Sequence, residues 1–80
     1  MKRNEWICEG NELRRFLENW TVVVSLGSPF LVCFYEGNNL SKAYRSFRRD
    51  SLAKSLSLAN EMGGFKEFGE LKKALDKVRH

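Results

Sequence analysis

Asn11-Glu12-Leu13-Arg14-Arg15-Phe16-Leu17-Glu18-Asn19-Trp20 is the stretch on which the architecture turns. Leu13, Phe16, Leu17 and Trp20 recur at i, i+3, i+4 and i+7, so an α-helix would align them in one apolar stripe. Asn11 is a reasonable N-cap, and Glu12 would sit in the first turn, where the helix dipole favours a carboxylate. The spacing therefore predicts a short helix over 11–20.

Downstream the pattern changes. Thr21-Val22-Val23-Val24-Ser25-Leu26 holds three consecutive β-branched valines and reads as a strand. Gly27-Ser28-Pro29 punctuates a turn. Phe30 to Tyr35 is a second strand, and Glu36-Gly37-Asn38-Asn39 a second turn rich in residues that tolerate positive φ. Leu40 to Arg49 has two readings. A strand would put Ala43, Arg45 and Phe47 on one face, and Lys42, Tyr44, Ser46 and Arg48 on the other. A helix capped by Asn39 would align Leu40, Tyr44 and Phe47. The strand is preferred, because Leu52, Leu56 and Ala59 lie out of phase with that stripe. A new helix then runs from Ser51 to Met62, with Asp50 and Ser51 as candidate caps and Gly63-Gly64 supplying the left-handed residue that closes it. Phe68, Leu71, Leu75 and Val78 mark a last helix, acidic early and basic late.

The expected fold is α+β: a three-stranded antiparallel meander packed against helices, in the order α-β-β-β-α-α. Eighty residues allow one domain over 1–80, and the 42% apolar and 30% charged composition argues against disorder. The N-terminus does not run into an apolar stretch, and Phe30–Tyr35 is too short to span a bilayer. A cytoplasmic protein is therefore expected, in a host cell if the source is viral. The two cysteines do not make a disulfide framework. Cys33 is expected as an inert core thiol.

The net charge of +4 is localised. Lys42, Arg45, Arg48, Arg49 and Lys54 stand against Asp50 alone between residues 41 and 60. A concentrated basic segment is the footprint of a polyanion partner. With Tyr35 and Tyr44 interleaved among those cations on a sheet, bases could stack and phosphates be met. The alternative is that the tyrosines form a cross-strand pair and the cations solubilise the surface. His80 is the sole histidine and the last residue, so no Ser-His-Asp or Cys-His base is at hand. No phosphate loop occurs, and the cysteines do not build a zinc site. No catalysis, metal or cofactor is expected.

The order helix, three-stranded meander, helix resembles the double-stranded-RNA-binding domain over about residues 11–62. The matching points are Gly27-Ser28-Pro29 in the turn and Ala53-Lys54 at the start of the following helix. The resemblance implies that the turn and the first helix reach minor grooves while Lys54 helps hold the phosphates between them. Phe30 stands where that family has a histidine, and Asp50 and Ser51 replace its paired lysines. The meander also resembles the small sheets with which phage integrases grip DNA arms.

Two functions follow as expectations. One is nucleic-acid binding, to DNA or RNA, through Lys42, Tyr44, Arg45, Arg48, Arg49, Lys54 and Tyr35. The other is protein contact. The chain is similar in size, and in lacking catalytic motifs, to phage-type inhibitors such as anti-CRISPR and anti-restriction proteins. A face formed by Val23, Leu31, Cys33 and Tyr35 would then be an interface or homodimer seam, and the basic patch would meet an acidic partner. No membrane is expected.

Overall fold

Gly10 is where the helix reading fails. The computed structural model of the chain describes residues 5–27 and 29–78. In it Gly10 has φ +60°, a left-handed conformation that glycine adopts without steric cost. With Asn11 it forms a two-residue loop that folds Trp6–Glu9 (β1) onto Glu12–Phe16 (β2). The Glu18-Asn19 turn, closed by the Leu17 amide donating to the Trp20 carbonyl at 2.9 Å, returns the chain into Trp20–Ser25 (β3). Phe30–Glu36 (β4) and Arg45–Arg49 (β5) complete an antiparallel meander in the order β1-β2-β3-β4-β5. Two helices follow, Leu52–Met62 (α1) and Phe68–Leu75 (α2).

The observed order is β-β-β-β-β-α-α. It corrects the expected α-β-β-β-α-α: among the described residues there is no N-terminal helix, and the meander has five strands instead of three. The reason lies in pairing. A lone ten-residue amphipathic helix is marginal in water. As β2 the segment has partners on both sides, and every strand amide can enter a ladder. Arg14 and Arg15 then point to opposite faces, each toward its own partners. Arg14 pairs with Glu12 at 2.8 Å and Glu9 at 3.4 Å. Arg15 donates to Asn60 Oδ1 of α1 at 3.2 Å and lies over the Trp6 ring.

The helices cover one face of the sheet. Trp20, Val22, Val24, Val32, Phe34 and Phe47 point beneath them and pack on Leu58, Ala59, Met62, Phe68, Leu71 and Leu75. Trp20, Phe34 and Phe47 form a tilted and edge-to-face aromatic series with centroids 5.9 and 6.0 Å apart. One sheet side chain and one from the Glu18-Asn19 turn tie down the connection between the helices. The Trp20 indole donates to the Phe65 carbonyl and Asn19 Nδ2 to the Lys66 carbonyl, both at 2.9 Å.

The helix expectations hold with small changes. Ser51 is the cap of α1, its hydroxyl accepting from the Lys54 amide at 3.2 Å. Gly63 does not supply a left-handed residue, since its φ is −62°. Its lack of a Cβ instead admits Arg15, whose Nη1 lies 3.0 Å from where that atom would be. Of the Gly27-Ser28-Pro29 turn, Ser28 lies outside the described residues, as does His80. Among the described residues no helix is long and apolar enough to cross a membrane.

Candidate functional site

Alternation along a strand sends successive side chains to opposite faces, and residues directly opposite on neighbouring strands share a face. The face away from the helices can therefore be laid out in rows from the observed register. One row crosses the whole sheet as Glu9, Glu12, Ser25, Leu31 and Arg48. The next is Ile7, Arg14, Val23, Cys33 and Ser46. A third holds Phe16, Thr21 and Tyr35. None of Ile7, Phe16, Leu31, Cys33 or Tyr35 belongs to the core beneath the helices, and all five are half-buried. Val23 is buried although no helix covers it, because it is enclosed by its own row and its neighbours on the open side.

The electrostatics of this face are uneven. Its β1–β2 end carries Glu9 and Glu12 against Arg14. The Arg14 guanidinium is held firmly protonated, its pKa raised chiefly by the hydrogen bond to Glu12. Its β5 end carries Arg48, which has no ion-pair partner among the described residues. Between them, the Tyr35 phenol titrates above its ordinary value, because partial burial and the neighbouring Cys33 disfavour the phenolate. Tyr35 is thus a neutral hydrogen-bonding group at physiological pH. Cys33 accepts a hydrogen bond from Ser46 Oγ at 3.2 Å. It belongs to this open surface and not to the core, which corrects the expectation of an inert core thiol. Cys8 is exposed, and both cysteines are free.

The residues expected to bind nucleic acid do not converge. Tyr35 and Arg48 lie on the open face. Tyr44 does not pair with Tyr35. Its amide donates to the Phe34 carbonyl at 2.7 Å, but its ring turns to α2, edge-on to Phe68 with centroids 5.6 Å apart. There the Lys72 ammonium sits over both rings, and the Tyr44 hydroxyl donates to Asp76 at 3.2 Å. Arg45 shares that anchor, pairing with Asp76 at 2.8 Å. Arg49 lies on the helix side over the Phe47 ring and donates to the Arg48 carbonyl. Lys54 is within 3.8 Å of Asp50, and Lys42 is exposed in the connection before β5. Arg49 and Lys54 do meet Lys77 around an open cleft of about 680 Å³ floored by Leu58, Met62, Phe65 and Val78.

Comparison of the chain with protein-family models, curated proteins and solved structures gives no match. The site therefore stands on its own geometry. The helix-first order on which the double-stranded-RNA-binding resemblance was drawn is not the observed order. Among the described residues, no three histidine, cysteine, aspartate or glutamate side chains gather where they could hold a metal.

Val23, Leu31, Cys33 and Tyr35, expected together from alternation, do share one face. Ile7, Glu9, Glu12, Arg14 and Phe16 were missed because the helix reading of 11–20 removed β2 and its partner strand. The available signal was Gly10-Asn11, a two-residue hairpin dipeptide between Trp6-Ile7-Cys8-Glu9 and Glu12-Leu13-Arg14.

Proposed function

We propose that this protein is a non-catalytic binding module that engages a protein partner through the open face of its sheet. The observation that carries this reading is the group of half-buried apolar side chains, Phe16, Leu31, Cys33 and Tyr35, spread over three adjacent rows of a sheet with helices on only one side. Antiparallel sheets do tolerate one solvated face, but that face is then dominated by polar side chains. Aromatic and aliphatic groups bordered by charge are instead the composition of an interface centre and its rim. Occlusion of a partner's working surface, as expected of anti-CRISPR or anti-restriction inhibitors, is one form such contact takes.

The test is site-specific photocrosslinking. A photoreactive phenylalanine analogue at position 31 or 35 is expected to give a defined protein adduct, competed away by unmodified protein and lost when Leu31→Asp is combined with the analogue at 35. The same analogue at position 73, on the exposed side of α2, is expected to give none. Equal labelling at 73, or no adduct from the sheet, would reject the reading.

Nucleic-acid binding is the second reading, supported by Arg49, Lys54 and Lys77 around one cleft, with Arg48 just ahead of α1. It requires affinity that falls steeply with salt. Arg48→Ala with Arg49→Ala is expected to weaken binding to all sequences alike and to lower the salt slope by about 2. Fluorescence anisotropy with labelled single- and double-stranded DNA and RNA measures both. No binding at low salt disposes of this reading.

A further inference from the structure

We infer that the open face is the seam of a symmetric dimer, so that the partner it takes is a second copy of this chain. This rests on the reading of that face as a protein-contact surface and names its occupant.

The inference comes from the order of charges across the sheet. In the row Glu9, Glu12, Ser25, Leu31, Arg48, two carboxylates stand at the β1 edge, sharing Arg14 of the next row, and at the β5 edge stands Arg48, which has no ion-pair partner among the described residues. On the open face itself, the β1–β2 end carries Glu9 and Glu12 against Arg14, and the β5 end carries Arg48 alone. The chain therefore presents its own counter-charge at the opposite edge of the same face.

Only one way of closing two such faces uses that complementarity. An isologous pair has a two-fold axis in the plane between the sheets. With the axis along the strands, each row lies over its own copy in reverse order. Arg48 then meets Glu9 of the second copy, twice, and Phe16 meets Tyr35 of the second copy, twice, on either side of Thr21. With the axis across the strands, the acidic edge would lie on the acidic edge and the basic edge on the basic edge. Like charges brought together in an interface disfavour association, so the first arrangement is selected. Aligned sandwich packing places the two sheets about 10 Å apart, with Phe16 over Tyr35, Val23 over its own copy, and Leu31 over Glu12 of the second copy.

The size of the face sets the strength. Five strands about 4.8 Å apart and five or six residues long at about 3.4 Å each give a footprint of roughly 450 Å² per copy. That is at the low end of specific interfaces. A weak, reversible dimer is therefore expected.

Sedimentation velocity of the full chain over several decades of concentration is the experiment. The mass is expected to rise from 9.3 kDa to twice that and stop. Arg48→Glu and Glu9→Arg are each expected to weaken the dimer by about tenfold or more, because each sets like charges face to face. The two changes in one chain restore opposite charges and are expected to return the dissociation constant to near the parental value. Both positions are exposed, and circular dichroism melts check that the single variants fold. Three results would overturn the proposal: a mass that stays monomeric throughout, a mass that grows past the dimer, as edge-to-edge stacking of β5 on β1 would produce, or a dimer indifferent to both single changes. A monomeric chain that still crosslinks a foreign protein through position 35 would remove the dimer and leave the protein-contact reading standing. A dimer indifferent to both charges, with no adduct at 31 or 35, would remove both.

Discussion

Trp20→Ala is expected to destabilise the protein by about 3–5 kcal/mol, the usual cost of emptying a buried tryptophan site. The indole is fully buried, packs on Phe34 and donates to the Phe65 carbonyl. Its removal opens a cavity on the sheet's covered face, at the start of the central strand, and unties the connection between α1 and α2 in one step. For 80 residues total stability is on the order of 4–12 kcal/mol, so the variant is expected to be largely unfolded or close to it at 37 °C. Trp20→Phe separates the two contributions. It keeps most of the ring and loses the N–H donor, and it is expected to cost about 1–3 kcal/mol, the range for leaving a buried acceptor unpaired, plus the volume difference. Urea denaturation followed by far-ultraviolet circular dichroism measures both. A loss below about 1.5 kcal/mol for the alanine variant would mean that Trp20 is not the keystone the packing makes it.

The sequence shows β3, β4 and both helices for physical reasons that are local. Three valines in succession restrict χ1 and favour a pleated backbone, and they form β3. Phe68, Leu71 and Leu75 recur on one helical face, and all three are buried. The segment 11–20 misleads because its apolar residues fall at helical spacing while serving different faces and different elements. Leu13 faces the helices and Phe16 the open side, while Leu17 and Trp20 belong to the turn and to the next strand. A helical wheel merges these separate roles into one stripe. What decides between the readings is pairing with β1 and β3, which the apolar spacing within the segment does not express. The candidate site was legible in proportion. Alternation along β3 and β4 places Val23, Leu31, Cys33 and Tyr35 together, but the acidic half of the face belongs to β1 and β2 and vanished with them. Tyr44 was misplaced because it sits one residue before β5, where alternation ends and the pull of Phe68 and Asp76 on α2 sets the direction of the ring.

That pull makes α2 the element whose loss would most change the surface. Leu71→Ala is expected to cost about 2–5 kcal/mol and to release α2 from a sheet that otherwise stays folded. An eight-residue helix is too short to persist in water by itself, and α2 has no side-chain hydrogen bond at its N-cap. Its stability must therefore come from Phe68, Leu71 and Leu75 beneath it and from Asp76 at its end, which holds Tyr44 and Arg45. By contrast α1 has the Ser51 cap and packs across β3, β4 and β5 through Leu58, Ala59 and Met62. Native-state hydrogen exchange distinguishes the outcomes. In the variant, amides 71–78 are expected to lose protection well ahead of those in β3 and β4. The Asp76 carboxylate would then leave Arg45, freeing that cation and the Tyr44 ring at the β5 edge. If the amides of α2 and the central strands exchange together, α2 is one cooperative unit with the sheet. Tyr44 and Arg45 would then be held away from the open face for as long as the protein is folded, and the binding surface would be confined to the rows between Glu9 and Arg48.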